Sequence, residues 1–212
     1  MTMLNILIAD DHAIVRQGLK QIIAEQTDMH VIAETSKGRE VLALLSSQKC
    51  DLVILDVTMP DRNGLDVLKD IKLHYPAISV LMLSMHPEDQ YALRAFRAGA
   101  SGYIMKDSAP VELVNAIRKV IRGHKYMSES VADMVASEMT SPANKLPHEL
   151  LSDREFEVLR FIASGKNLTE IGEILSLSVK TISTYRARIL IKMNLKNNTD
   201  LIHYGIEHSL TT

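Results

Sequence analysis

The segment Leu52-Val53-Ile54-Leu55-Asp56-Val57-Thr58-Met59-Pro60-Asp61-Arg62-Asn63-Gly64 changes character abruptly at Asp56. Its first four residues are apolar and short in run, as expected of a strand buried on both faces of a parallel sheet. Pro60, Asn63 and Gly64 then turn the chain into a loop. A carboxylate at the carboxyl end of such a strand stands where open α/β sheets bind ligands. By itself that position suits a helix-capping Asp as well as a functional one.

Three further strand-like runs weight the balance toward function. Asn5 to Ala9 ends in Asp10-Asp11, Ser79 to Leu83 ends in Ser84, and Gly102 to Met105 ends in Lys106. In one parallel sheet, these ends would gather three carboxylates, a hydroxyl and an ammonium around one crevice. Clustered carboxylates raise one another's pKa unless a cation neutralises them. Oxygen donors of this kind suit Mg²⁺. An Asp beside Mg²⁺, with Lys and Ser near by, is equipped to attack phosphorus and become an aspartyl phosphate.

These residues, with the phrase Ala9-Asp10-Asp11-His12-Ala13-Ile14-Val15-Arg16, resemble the receiver domain of two-component response regulators of the NarL/FixJ type over about residues 3–123. The resemblance implies that Asp56 accepts the phosphoryl group from a sensor histidine kinase. It implies that Asp10, Asp11, Asp56 and the Thr58 backbone carbonyl form the Mg²⁺ site. Ser84 and Lys106 would stabilise the phosphoryl oxygens, and Tyr103 would be the switch aromatic that moves with Ser84. Asp107 departs from the pattern, which usually has Pro after the strand-end Lys. His12 reads as a helix-start residue, since one His among carboxylates suits Mg²⁺ poorly.

Helix-period segments at about 13–26, 38–47, 64–75, 88–98 and 110–122 alternate with the strands, the second of which falls at about 30–34. The expected apolar stripes are Ile14, Gly18, Ile22 with Leu19, Ile23 in the first helix, and Val111, Val114, Ile117, Ile121 in the last. Five strand–helix repeats with right-handed crossovers give an α/β doubly wound parallel five-stranded sheet. The strand order expected for this class is 2-1-3-4-5, which sets the ends of strands one and three side by side.

The chain has 212 residues and a formal net charge of −2. That length predicts two domains, and the charge argues for no particular partner. The single Cys50 excludes an internal disulfide and suits a reducing compartment. No run approaches the roughly 20 apolar residues that span a bilayer, and the first apolar stretch, stopped by Asp10 and Asp11 with no basic lead-in, is not expected to act as a signal peptide. The expectation is a cytoplasmic protein with no membrane partner. Its expected domains are a receiver at 1–123, a linker with a helix near 128–139 at 124–147, and a small all-α domain at 148–212. Thr140-Ser141-Pro142-Ala143-Asn144-Lys145-Leu146-Pro147 has the composition of a connector.

In the C-terminal part, Ser152-Asp153-Arg154-Glu155 reads as a capping box. Asn167 and Glu170 begin a second helix carrying Ile171, Ile174 and Leu175. Ser176-Leu177-Ser178 turns into a third at about 179–193, and a fourth spans about 198–208. Residues 149–212 carry eight Lys or Arg and eight Asp or Glu, so the domain is neutral overall. From Ile174 to Thr199, however, there is no acid, while Lys180, Arg186, Arg188, Lys192 and Lys196 are basic.

Segment 151–208 resembles a LuxR-type helix-turn-helix domain, on the matches Leu151-Ser152, Arg154-Glu155, Glu157-Val158-Leu159, Gly165, Glu170-Ile171, Leu175, Ser178, Lys180-Thr181-Ile182, Ile189 and Lys192-Met193. It departs at Leu168, Gly172 and Tyr185, and Gly172 in a helix costs up to about 1 kcal/mol relative to Ala. On a helical wheel Ile182, Tyr185, Ile189 and Met193 share the inner face. The expected double-stranded-DNA contacts are Lys180, Thr181, Ser183, Thr184, Ala187, Arg188 and Lys192. Lys180, Arg188 and Lys192 would meet phosphates, and Ser183, Thr184 and Ala187 would face base edges. The protein is expected to act as a homodimer when phosphorylated and not as an enzyme, apart from its own phosphoryl acceptance. A phosphatase with an Asp nucleophile usually needs a second Asp two positions later, where this chain has Thr58.

Overall fold

The computed structural model describes residues 3–85, 87–140 and 146–211. The chain divides into two compact units, Met1–Ser137 and Glu138–Thr212. Residues 141–145 of the expected connector lie outside the described residues.

In the first unit, strands β1 (Leu4–Ala9), β2 (Met29–Thr35), β3 (Leu52–Asp56), β4 (Ser79–Ser84) and β5 (Gly102–Met105) form one parallel sheet in the order β2-β1-β3-β4-β5. The helices are α1 (Ala13–Ala24), α2 (Val41–Ser47), α3 (Gly64–His74), α4 (Glu88–Arg97) and α5 (Ala109–Ile121). The fold is the doubly wound one expected. All five residues of β3 are buried, which accounts for a strand apolar without alternation. Ile6, Ile8, Leu52, Ile54, Leu81, Leu83 and Ile104 form one core cluster with Leu19 and Ile23 of α1 and Leu113, Ala116, Ile117 and Val120 of α5.

Both expected helix stripes hold in part: Leu19, Ile22, Ile23, Val114 and Ile117 are in or against the core, and the other expected positions are not. Ile14 is 88% exposed and Gly18 is exposed, whereas Leu19 and Ile23 are buried and Val15 and Ile22 pack against the core. Val111 is also 88% exposed and Ile121 is exposed, while Leu113, Ala116, Ile117 and Val120 face inward. Each helix carries two apolar rows at helical spacing. The way each helix approaches the sheet decides which row is buried.

Beyond α5 the chain returns to the sheet. Tyr126 accepts from the Tyr103 backbone N–H at 3.0 Å and donates to the Ser101 carbonyl at 3.1 Å, making a parallel bridge to Gly102 at the β5 edge. A Cβ on Gly102 would lie 2.9 Å from that of Tyr126, so only Gly allows this approach. Helix α6 (Glu129–Thr140) follows. Its Val131 is buried, and Ser128 and Ser130 donate to Glu88 of α4.

The second unit contains α7 (Asp153–Ala163), α8 (Leu168–Ile174), α9 (Val179–Met193) and α10 (Asn198–Glu207). Three side-chain caps start the first three of these helices. Ser152 and Glu155 form the expected capping box, Asn167 and Glu170 form another, and Ser178 accepts from the Thr181 N–H. Phe156, Leu159, Ile162, Ile171, Leu175, Ile182, Ile189 and Leu201 are buried. Ile174 is not; it is 39% exposed.

Gly172 is more than a propensity defect. The Leu177 N–H donates to its carbonyl at 2.8 Å, and a Cβ there would lie 2.7 Å from the Leu177 oxygen. The tight α8–α9 turn is built on that missing methyl. Ser176 supplies the left-handed residue in the turn, with φ 52°.

Candidate functional site

The parallel register pairs Ala9 with Leu55 and Asp56 with Leu83. The residues following β1, ending β3 and ending β4 therefore share one rim. Asp56 and Asp10 are both buried there, 2% and 0% exposed. Lys106, just after β5, is 7% exposed. Its Nζ lies 2.8 Å from Asp56 Oδ2 and 2.8 Å from Asp10 Oδ2. The Lys106 N–H donates to the Ser84 carbonyl at 2.8 Å, and Ser84 itself is fully buried.

Local backbone holds each carboxylate in place. The Thr58 N–H folds back to donate to Asp56 Oδ1 at 3.3 Å, and the His12 N–H donates to Asp10 Oδ1 at 2.8 Å. Beneath them the loop closes at Gly64, whose N–H donates to the Val57 carbonyl at 2.8 Å. A Cβ at Gly64 would come within 1.9 Å of the Asp56 carbonyl oxygen. Gly64, read in the sequence only as a turn residue, thus sets the position of the Asp56 backbone. Among the described residues no peptide is cis, so the Lys106–Asp107 bond is trans.

Burial, reinforced by Asp10, pushes the Asp56 carboxyl up to about 7 against the opposing pull of Lys106. Burial also works against the Lys106 ammonium, but Asp56 and Asp10 outweigh it and hold that pKa above the usual lysine value. Lys106 pairs with two of the three carboxylates, Asp10 and Asp56, so the site remains short of positive charge.

Asp10, Asp11, His12 and Asp56 each offer a ligand atom, all within 4.8 Å of one another. The oxygen-rich donor set and its charge deficit fit a hard divalent cation. His12, assigned to the helix start, does precede α1, but its ring turns to the carboxylates: Nδ1 is 2.6 Å from Asp11 Oδ1. Its adjacency to the acidic pair was the available sequence signal. Tyr103 is buried on β5, 1% exposed.

On α9, Lys180, Ser183, Thr184, Ala187 and Arg188 are exposed and Thr181 is half-buried. Ile182, Ile189 and Met193 form the inner face as expected. Tyr185 does not join them fully; it is half-buried and lines a shallow groove with Ser178, Lys180, Thr181, Thr184 and Arg188. Thr184 donates its hydroxyl proton to the Lys180 carbonyl at 3.0 Å. Lys192 has a partner within the domain that the sequence did not reveal. Its Nζ is 2.6 Å from Glu155 Oε2, whose side chain is 3% exposed.

The response regulator receiver domain family matches residues 6–118, and the bacterial regulatory proteins of the luxR family match residues 149–205. The response regulator UvrY of Escherichia coli (strain K12) is 34% identical over 209 residues, covering 98% of this chain and 96% of that protein. The oxygen regulatory protein NreC of Staphylococcus aureus (strain JH9) is 34% identical over 214 residues, covering 98% of this chain and 99% of its own length. Among solved structures, RcsB of Salmonella enterica serovar Typhimurium bound to promoter P1flhDC with the phosphomimetic BeF₃⁻ aligns with TM-score 0.65 and 28% identity, over 95% of this chain and 97% of that one. The chain belongs to the two-component response regulators of the NarL/FixJ type: a receiver domain followed by a LuxR-type DNA-binding domain. It is a DNA-binding transcriptional regulator under phosphorylation control.

Proposed function

We propose that Asp56 is the phosphoacceptor and that α9 is the helix read against double-stranded DNA. The observation that carries the first assignment is the convergence of Asp56, Asp10 and Lys106 at 2.8 Å contacts in a buried rim. In the transfer, an Asp56 carboxylate oxygen bonds phosphorus as the P–N bond of the kinase's phospho-His breaks. Lys106 lies where it balances charge on the phosphoryl oxygens, and Ser84 stands at the next strand end to donate to one of them. Asp10, Asp11, Asp56 and the Thr58 carbonyl would hold Mg²⁺. Bound there, Mg²⁺ supplies the positive charge that lets two carboxylates and a phosphoryl group share the site. Tyr103 is the proposed switch aromatic, its ring inward in this structure.

The added charge biases a two-state receiver surface, and a phosphorylated homodimer would present two α9 helices to half-sites about one helical turn apart. Lys180, Arg188 and Lys192 are assigned to phosphates, Ser183, Thr184 and Ala187 to base edges, and Thr181 to the DNA contact without a finer role. Small side chains there favour methyl contact with thymine over bidentate readout. The domain limits proposed are 1–123, 124–147 and 148–212, and the compartment is the cytoplasm. Among the described residues no helix is long and apolar enough to cross a membrane.

Selection of bound duplexes from a random pool, with and without BeF₃⁻ on Asp56, tests the reading. Paired half-sites enriched only with the mimic support it. Equal enrichment in both removes the phosphorylation gate, and no enrichment in either removes the DNA assignment.

A further inference from the structure

His12 is the one side chain at the acidic rim to which the chemistry above gives no task. It occupies the N-cap position of α1, yet its side chain makes no capping hydrogen bond. Instead Nδ1 lies 2.6 Å from Asp11 Oδ1, 3.4 Å from Asp10 Oδ1 and 4.0 Å from Asp56 Oδ2. Bonds of about 2.1 Å to a shared divalent ion set neighbouring ligand atoms roughly 3 Å apart and opposite ones about 4.2 Å apart. The Asp10 and Asp56 separations fall within that range, and the Asp11 contact, shorter at 2.6 Å, would open as an ion entered.

Asp11 Oδ1 is buried and, in spite of the 2.6 Å approach of Nδ1, makes no hydrogen bond. Lys106 Nζ, 3.5 Å from Nδ1, can only donate, which suits a lone pair on that nitrogen. A cation between Nδ1 and the carboxylates would satisfy both the lone pair and the unpartnered acid oxygen. The ring is also free to adjust, because the His12 side chain is 58% exposed.

We infer that His12 is a nitrogen ligand at this site and that it extends the site's range to borderline divalent ions of the Fe²⁺, Co²⁺ and Zn²⁺ class. Imidazole favours these ions, whereas carboxylates, carbonyls and water favour Mg²⁺. Asp10, Asp11 and Asp56 would be shared by either ion; His12 engages only the softer one. The inference rests on reading the acidic rim as a cation site, and it makes receiver occupancy responsive to transition-metal supply.

The test is calorimetric titration of the full-length protein and of His12→Ala with Co²⁺ and with Mg²⁺ separately, paired with proton NMR of the Co²⁺ forms. Co²⁺ binds most nitrogen and oxygen sites more tightly than Mg²⁺ does, so the informative quantity is the change on substitution. His12→Ala should weaken Co²⁺ by about tenfold or more, the loss typical of an altered metal shell, and Mg²⁺ by less than about twofold. Ligation through Nδ1 should also give a far-shifted exchangeable resonance from the Nε2 proton, absent in the variant. Equal losses for the two ions, or no such resonance, overturn the role of His12 and leave the Mg²⁺ assignment standing. Failure of the unsubstituted protein to bind either ion overturns the cation site and this inference with it.

Discussion

Replacing Lys192 by Ala separates two tasks that one charge can perform. Its Nζ sits 2.6 Å from Glu155 Oε2, with the lysine side chain 41% and the glutamate side chain 3% exposed. Glu155 also accepts from the Ser152 N–H at 2.9 Å in the capping box, so the carboxylate cannot swing out without uncapping α7. Removing one partner of a fully buried pair costs about 3–5 kcal/mol, whereas exposed pairs contribute about 0–1 kcal/mol. A half-exposed lysine over a buried acid lies between, and screening brings the expected loss to about 1–2 kcal/mol. For a domain of this size that is a fall of roughly 4–15 °C in Tm. The assay is thermal unfolding of the full-length protein by circular dichroism for Lys192→Ala, Glu155→Gln and the double variant.

The double variant should lose less than the sum of the two single losses, because each single change already removes the pair. Burial raises the Glu155 pKa, but Lys192 and the capping N–H outweigh it, so the net value is below the ordinary 4.5. The coupling is therefore present above pH 4.5 and is lost as pH falls through the lowered folded value. Unchanged melting of Lys192→Ala, or strictly additive losses, would refute the reasoning. Duplex binding by the same variant addresses the other task. A phosphate contact predicts uniform weakening across sequences and a salt slope lower by about one; an unchanged slope assigns the charge to Glu155 alone.

Two further substitutions probe the loops under each site. Gly172→Ala would gain about 1 kcal/mol from helix propensity, but its methyl meets the Leu177 carbonyl at 2.7 Å and overpacking costs about 1–3 kcal/mol. The expected net is a lower Tm for the helical unit, and a higher one would contradict the turn geometry. At the acidic rim, burial raises the Asp56 pKa from 3.8 to about 7, so folding favours its protonated form. The stability tied to that form is complete below 3.8 and is lost as pH rises through about 7. Without divalent cations, Asp56→Asn should gain urea resistance relative to wild type between pH 5 and pH 8. A relative gain by wild type over that interval would show that Lys106 dominates the carboxylate's energetics.

The strand ends were legible because β3 is apolar without alternation and stops at a charge, and because Asp10-Asp11, Ser84 and Lys106 repeat that arrangement at the ends of other strands. Local chemistry likewise declared the capping box at Ser152 and Glu155 and the acid-free stretch through α9. These are properties of neighbours in the chain, and sequence spacing reports them directly. What remained hidden depends on partners distant in sequence. Ile14 and Val111 satisfy helical periodicity as well as Val15 and Leu113 do, and only the approach angle to the sheet decides which row is buried. The pairing of Lys192 with Glu155 spans 37 positions, and the His12 ring joins Asp56 only because β1 and β3 are neighbours in the sheet. Gly64 and Gly172 both look like ordinary turn or helix glycines until the carbonyl oxygens of Asp56 and Leu177 are found where a methyl group would be. Composition and spacing therefore determined which groups this protein brings to its two sites. Packing decided which of their charges are already committed to one another, because burial and distance exist only once the chain has closed on itself.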